Sequence, residues 1–225
     1  MLFLDSADRN EIAALHNLGV IEGVTTNPTI LCRAGIVHAD HAKWCTEMAE
    51  LIHPSPLSYE VTAQDAGSDM IAEARVIGSW AKNMVVKVPI HGTFPMDLYA
   101  NLQVISDLEG LYNVRVNVTA MMSAQQCYLS ALAGASYVSL FGGRISDMGY
   151  DPIREIERYA LMRQREGLRA DLIVGSVRIV TDVMNWLVAG ADIVTVPPQY
   201  FNKMQWNPRT AETVTQFVRD AEATK

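Results

Sequence analysis

Residues 84–89 read Met84-Val85-Val86-Lys87-Val88-Pro89, a short β-branched run with one charge in its middle. Short apolar runs bounded by turn signals fit buried strands, and alternate residues of a strand face opposite sides. If Val86 and Val88 face a helical shell, Lys87 shares its side with Val85 and points inward, an unusual place for a lysine. The preceding stretch, 68–82, has helical periodicity: Met70, Ile71, Ala74, Ile77, Gly78 and Ala81 gather on one side, with Asp69, Glu73 and Arg75 mostly elsewhere. Outward in both directions the same unit recurs, a short apolar run followed by a longer helical segment. The strand candidates are 2–5, 23–26, 57–62, 84–89, 113–119, 137–141, 172–176 and 193–196. Strands alternating with helices imply parallel pairing with right-handed crossovers. Eight units in one domain suit a closed (β/α)8 TIM barrel of about 250 residues. The chain has 225, so the loops must be short. A single barrel domain over 1–225 is expected, with 199–225 as an extra C-terminal helical extension. The alternative, a doubly wound open sheet, would usually carry a glycine-rich phosphate loop after its first strand. No glycine occurs among residues 2–10.

Composition narrows the class. At 49% hydrophobic and 19% charged residues, the chain is too apolar to stay solvated as a disordered polymer. Its net charge of −7 offers no delocalised basic field for a phosphate polymer, which argues against nucleic acid but leaves room for a local anion site. The most apolar stretches, 129–143 and 186–197, are interrupted by Ser136 and Ser139 or by Asp192, short of the roughly 18 uninterrupted residues of a membrane span. Asp5 stands where a signal peptide would carry its apolar run, so no membrane association is expected and a cytoplasmic location is the default. Cys32, Cys45 and Cys127 form no CxxC pair and read as reduced thiols, mostly core filler. The breaker cluster His53-Pro54-Ser55-Pro56 is only loop-sized, so no domain boundary is seen.

Barrel enzymes place their chemistry at the C-terminal ends of the strands. Here strand one ends at Asp5 and strand two at Thr25-Thr26-Asn27. Strand three carries Glu60 and Thr62, strand four Lys87, and strand five Asn117 and Thr119. Strand six carries Ser139 and Phe141 with Arg144 beyond, and strand seven carries Ser176 with Arg178 after it. Only strand eight ends blandly, at Val196-Pro197. Each residue alone has an ordinary explanation: Asp5 as a helix cap, Asn27 before Pro28 as a turn former, Lys87 as a snorkelling side chain. For all to be incidental, seven strand ends would have to acquire polar residues independently. His38 and His41 lack a third ligand, so no metal is expected and both are read as surface residues. Trp44, Met48 and Leu51 read as a core-facing helix stripe, while Trp206 and Phe217 fit core or interface equally.

A buried lysine without a phosphate loop, metal or cofactor motif points to amine nucleophilic catalysis through a Schiff base. Lysine titrates near 10.4 in water and needs desolvation or a cationic neighbour to be partly neutral. Carboxylates can shuttle protons during carbinolamine dehydration and take the hydroxyl proton whose loss drives carbon–carbon cleavage.

The segments LFLDSAD, EGVTTNPTI, SYEV, MVVKVPI, RVNVT, YVSLFGGRISD and VGSVR, read in that order, resemble the small-type transaldolase family, which includes the fructose-6-phosphate aldolases. The resemblance runs from Leu2 to about Pro197, and GVTTNPT with VVKVP at this spacing is its most specific part. It implies a (β/α)8 barrel, a class I aldol mechanism with no metal or cofactor, and a homo-oligomer, commonly a decamer in which the C-terminal helix reaches a neighbour. Lys87 then matches the imine-forming lysine, Asp5 the acid/base for the C4 hydroxyl, and Glu60 with Thr119 the pair that holds the catalytic water. Asn27, Asn117 and Ser139 match residues that bind the dihydroxyacetone hydroxyls, and Thr26 and Phe141 join the substrate-binding set. Arg144, Ser176 and Arg178 match the phosphate site, where guanidinium forks grip an anion.

Glu60, Phe141 and Arg178 are transaldolase-like, since the aldolase branch has glutamine, tyrosine and lysine at the matching positions. The expected substrates are therefore sugar phosphates, with a dihydroxyacetone unit moving from fructose 6-phosphate or sedoheptulose 7-phosphate to an aldehyde. Departures from the family pattern are Gly142-Gly143-Arg144, Met121-Met122 and the loop at 91–94. These keep open an unusual ketose such as a sulfonated sugar, an aldolase releasing free dihydroxyacetone, and a catalytically silent sugar-phosphate-binding scaffold.

Overall fold

Branching at Cβ stiffens Val, Ile and Thr and suits them to a pleated surface, and the runs rich in them form the strands. The computed structural model describes residues 1–63, 67–93 and 99–224. The strands are β1 (Leu2–Asp5), β2 (Val24–Thr25), β3 (Leu57–Glu60), β4 (Met84–Pro89), β5 (Val116–Met121), β6 (Tyr137–Leu140), β7 (Asp171–Val174) and β8 (Ile193–Val196). Each pairs in parallel with its sequence neighbour, and β8 pairs with β1 to close the barrel. The covering helices are α1 (Arg9–Asn17), α2 (Pro28–Arg33), α3 (His41–Leu51), α4 (Ser68–Gly78), α5 (Ala100–Gly110), α6 (Ala124–Leu132), α7 (Gly142–Asp147), α8 (Pro152–Glu166) and α9 (Val180–Val188). The chain continues through α10 (Pro198–Gln205) and α11 (Pro208–Ala223), neither of which buries a residue.

Bounds differ from the sequence expectation where the backbone turns early. β5 starts at Val116 because Asn113, at φ 53°, turns the chain before it. It runs on to Met121 past a register shift between Val118 and Met121, with Ala120 at φ 61°. Such bulges at barrel rims re-aim side chains beside active sites. β7 ends at Val174; the Gly175 N–H still donates across to the Leu140 carbonyl at 2.9 Å, and Ser176, at φ 69°, turns the chain out of the ladder. α4 stops at Gly78, where Ser79 Oγ turns back to donate to the Val76 carbonyl at 2.7 Å. The carboxylate that caps α1 is Asp8, which accepts from the backbone N–H groups of Asn10 at 2.8 Å and Glu11 at 3.0 Å. Asp5 is thereby free for another role.

The interior fills in layers drawn from alternate strands, as closed eight-stranded barrels do. Followed around the barrel, the strand registers place Gly23, Val85, Tyr137 and Ile193 at the bottom, with Phe3, Ser58, Asn117 and Ile173 above them. The ring of Phe3 occupies the space left by Gly23, where a Cβ would lie 2.6 Å from it. The next layer is Thr25, Lys87, Ser139 and Thr195, and the top layer is Asp5, Glu60, Thr119 and Gly175. The lumen therefore changes from apolar to polar within a few residues of strand. Val86 and Val88 point the other way, into the larger core between strands and helices. Cys45 and Cys127 lie in that core, and burial pushes the Cys45 thiol up to about 12. No described helix is long and apolar enough to cross a membrane.

Candidate active site

Above the polar layers opens a cavity of about 550 Å³, lined by every residue of those two layers. Lys87 is 5% exposed, and its Nζ donates to the Thr26 carbonyl at 3.0 Å and lies 3.4 Å from Glu60 Oε2. The strands explain the meeting: β3 and β4 pair with Glu60 opposite Lys87, and the period of two turns both inward. Asp5 accepts a hydrogen bond from Thr25 Oγ1 at 2.9 Å. Burial raises its carboxyl above the ordinary carboxylate range, while Lys87 and the Thr25 hydroxyl pull it partly back. Thr119 Oγ1 is buried among these groups with no hydrogen-bond partner among the described residues, although it lines the cavity. A buried hydroxyl in that state calls for a water or a ligand.

Asn27 caps α2 through its Oδ1, which accepts from Ile30 N at 3.0 Å. With the oxygen committed to the helix, the amide's N–H groups remain to donate into the cavity that Asn27 lines. Ser139 donates to Asn117 Oδ1 at 2.6 Å, and Asn117 lies fully buried one layer below. Asn117 therefore supports Ser139 from beneath the cavity floor. Thr26 corrects the expectation drawn from strand two. Its side chain is buried on the outer face of the strand, and its carbonyl, not its hydroxyl, meets Lys87. The inward hydroxyl of this strand is that of Thr25, because parity sends neighbours to opposite faces.

On the opposite wall, Arg144 lies over the Phe141 ring at 4.7 Å. Arg178 forks onto Asp147, with Nε to Oδ1 at 3.1 Å and Nη2 to Oδ2 at 2.6 Å. The hydrogen bond from Arg178 holds the Asp147 carboxyl below its usual range. Both side chains are about half exposed, so this pair orients the guanidinium more than it stabilises the fold. The Arg178 carbonyl accepts from Tyr200 of α10 at 2.8 Å. The two glycines before Arg144 have distinct reasons. A Cβ on Gly143 would lie 1.7 Å from the Ser176 carbonyl oxygen, so this glycine lets α7 and the Ser176 turn touch. A Cβ on Gly142 would lie 2.7 Å from Trp186, whose buried indole fills the space a side chain there would need.

Thr195 and Arg33 are cavity residues that sequence reasoning passed over. Strand eight is not bland: Thr195 turns inward and shares a hydrogen bond with Thr25. Parity could have found it, since Val194 and Val196 pack outward. Arg33, in the last turn of α2, also lines the cavity, four residues after Thr29 on the same helix face. No ion pair to Arg33 occurs among the described residues. Another correction concerns His41, which is buried and not a surface residue, with Nδ1 2.7 Å from the Tyr59 hydroxyl. It packs at the start of α3 against Tyr59, far from a ligand role, while His38 is exposed. Of the loop at 91–94, Phe94 lies outside the described residues.

Comparison with known proteins identifies the family and the fold. The family model described as Transaldolase/Fructose-6-phosphate aldolase matches residues 2–225. A "Probable transaldolase" of Caulobacter sp. (strain K31) is 36% identical over 221 residues, covering 97% of this chain and 95% of its own. "Probable transaldolase 1" of Listeria monocytogenes serotype 4b (strain F2365) is 38% identical over 223 residues, covering 99% and 98%. Among solved structures, a putative lactate oxidase of Pediococcus acidilactici superposes with a TM-score of 0.57 at 16% identity, covering 88% of this chain and 62% of that one. At that identity the likeness speaks to the barrel fold alone.

Proposed function

We propose, from the premise that the chain belongs to the transaldolase/fructose-6-phosphate aldolase family, that it transfers a dihydroxyacetone unit from a ketose phosphate to an aldehyde through a Schiff base on Lys87. The observation that carries this reading is the buried Lys87 amine, 3.4 Å from Glu60 and in the layer beneath Asp5. Nζ attacks the C2 carbonyl of fructose 6-phosphate or sedoheptulose 7-phosphate. Water leaves the carbinolamine as Glu60, through a water held at the unpartnered Thr119 hydroxyl, moves the protons. Asp5 then takes the C4 hydroxyl proton. The C3–C4 bond breaks, its electrons enter the imine to form an enamine, and the aldehyde departs. The enamine attacks the acceptor aldehyde, Asp5 returns the proton, and water releases the new ketose.

Asn27 and Ser139 orient the donor hydroxyls, and Arg144, Ser176 and Arg178 hold the phosphate. Phe141 favours transfer over release because, unlike a tyrosine, it offers no proton beside the enamine. The proposed location is the cytoplasm, where the free cysteines would remain reduced. An oligomer, a decamer by family resemblance, is supported by the uncovered apolar stripe Val214, Phe217 and Val218 on α11, with Phe217 65% exposed. Borohydride reduction with fructose 6-phosphate followed by peptide mass spectrometry tests the central claim. A reduced dihydroxyacetone adduct is expected on Lys87, and its absence there sinks the Schiff-base assignment.

A further inference from the structure

We propose that Thr195 is a positioning residue for Asp5: acting through Thr25, it keeps Asp5 Oδ1 a hydrogen-bond acceptor and leaves Oδ2 to take the substrate proton. The inference rests on the reading of Asp5 as the cleavage base, and deepens it. Thr25 Oγ1 carries one proton and donates it to Asp5 Oδ1 at 2.9 Å. In the hydrogen bond between Thr25 and Thr195 the proton must then come from Thr195. Two hydroxyls thus form a chain of fixed direction, Thr195 to Thr25 to Asp5, running from β8 past β1 to β2 and back to β1.

The far end of that chain is held by packing. A Cβ on Gly175 would lie 3.0 Å from Thr195 Cγ2, so the glycine leaves the Thr195 methyl its place beside β7. Threonine is stiff about χ1, and a seated methyl fixes the direction of the hydroxyl. Hydrogen bonds in series polarise one another, so the Thr195 donor strengthens the Thr25 donor in this buried setting. A Thr25 hydroxyl without that partner could rotate, accept a proton from Asp5 and stabilise the acid instead of the carboxylate. The other charged groups facing Asp5 are Lys87 from β4 and Glu60 from β3, with Arg33, Arg144 and Arg178 at the cavity rim. None of them touches Thr195 through a hydrogen bond among the described residues, so its removal acts on Asp5 through Thr25.

Thr195→Val keeps the shape and the methyl and removes the hydroxyl, while Thr195→Ser keeps the hydroxyl. For cleavage and transfer from fructose 6-phosphate, Thr195→Val is expected to lower kcat about tenfold, a fraction of what a general base supplies. The donor KM should hold, and the acid limb of the kcat profile should move to higher pH. Thr195→Ser, which keeps the donor and gives up only the methyl that steers it, should recover most of both. Borohydride trapping of dihydroxyacetone on Lys87, which needs no C4 proton transfer, should match the unsubstituted enzyme in both variants. A Thr195→Val enzyme with an unchanged kcat and profile overturns the proposal, as does Thr195→Ser behaving like Thr195→Val. Failure of the unsubstituted enzyme to trap dihydroxyacetone would instead refute the Schiff-base reading. The carboxyl resonance of 13C-labelled Asp5, assigned by its loss in Asp5→Asn, then decides alone: a midpoint raised in Thr195→Val supports the chain, and an unmoved midpoint refutes it.

Discussion

Gly143→Ala is the most demanding test of how the proposed anion site is placed relative to Lys87. The new Cβ would lie 1.7 Å from the Ser176 carbonyl oxygen and 2.8 Å from its carbon, whereas real side chains essentially never approach closer than 3.0 Å. The obstacle is backbone at a residue with φ 69°, so no rotamer change relieves it. α7 and the turn carrying Ser176 and Arg178 must separate by about 1 Å, a misplacement that can cost about 100-fold when it shifts a substrate-positioning group. That corresponds to about 2.7 kcal/mol of transition-state stabilisation. The enforced overpacking adds about 1–3 kcal/mol of lost stability, a fall in Tm of about 2–4 °C per kcal/mol for a chain of this size. Initial rates would be measured with fructose 6-phosphate, alongside borohydride trapping of dihydroxyacetone, which carries no anion. Loss of kcat/KM for the phosphorylated donor with intact trapping is expected. A kcat/KM within about twofold of the unsubstituted enzyme refutes the reasoning. An equal loss in trapping refutes it too, because the damage would then reach Lys87 on the far side of the barrel.

The remaining expectations concern charge and proton supply. Burial raises the Asp5 carboxyl, so its ionised form costs folding stability: the cost is absent below the ordinary range near 3.9 and grows as pH rises through the folded value. Asp5→Asn should therefore show a higher Tm than the unsubstituted enzyme at pH 7, and nearly the same Tm at about pH 3, while losing cleavage. A lower Tm at pH 7 would show that the attraction to Lys87 outweighs burial. Phe141→Tyr should increase release of free dihydroxyacetone at the expense of transfer, and unchanged partitioning measured by product analysis would defeat the proton-supply argument. Arg33→Gln should raise KM several-fold for phosphorylated acceptors and leave KM for unphosphorylated ones unchanged, since a guanidinium with no carboxylate partner among the described residues is available to an anion. Equal effects on both acceptors would show that Arg33 shapes the cavity without reading charge.

The period of two was already legible in Met84-Val85-Val86-Lys87, because alternation along a strand is a local property of the backbone. It placed Lys87 on Val85's side, pointing inward, and Glu60 of β3 meets it there at 3.4 Å. The same rule applied to strand eight would have turned Thr195 inward, and applied to strand two it would have preferred Thr25 to Thr26. Local competition decided other positions: Asp8 and Asp5 both stand near the start of α1, and the backbone geometry gives the cap to Asp8. His41 shows the opposite limit, since an ionisable side chain near a helix start reads as exposed until Tyr59 on β3 is found beside it.

By itself the sequence determined that eight strands alternate with helices, and that polar side chains crowd their C-terminal ends. Both are short-range consequences of side-chain branching, periodicity and turn chemistry. Only the tertiary structure decided which of those residues share a level. Membership of a layer depends on the register between strands far apart in the chain, set by barrel closure. That closure brings Thr25, Lys87, Ser139 and Thr195 to one height and Asp5, Glu60, Thr119 and Gly175 to the next. It also presses the Gly143 backbone against Ser176 and fills the space over Gly142 with Trp186, neither of which any local pattern records.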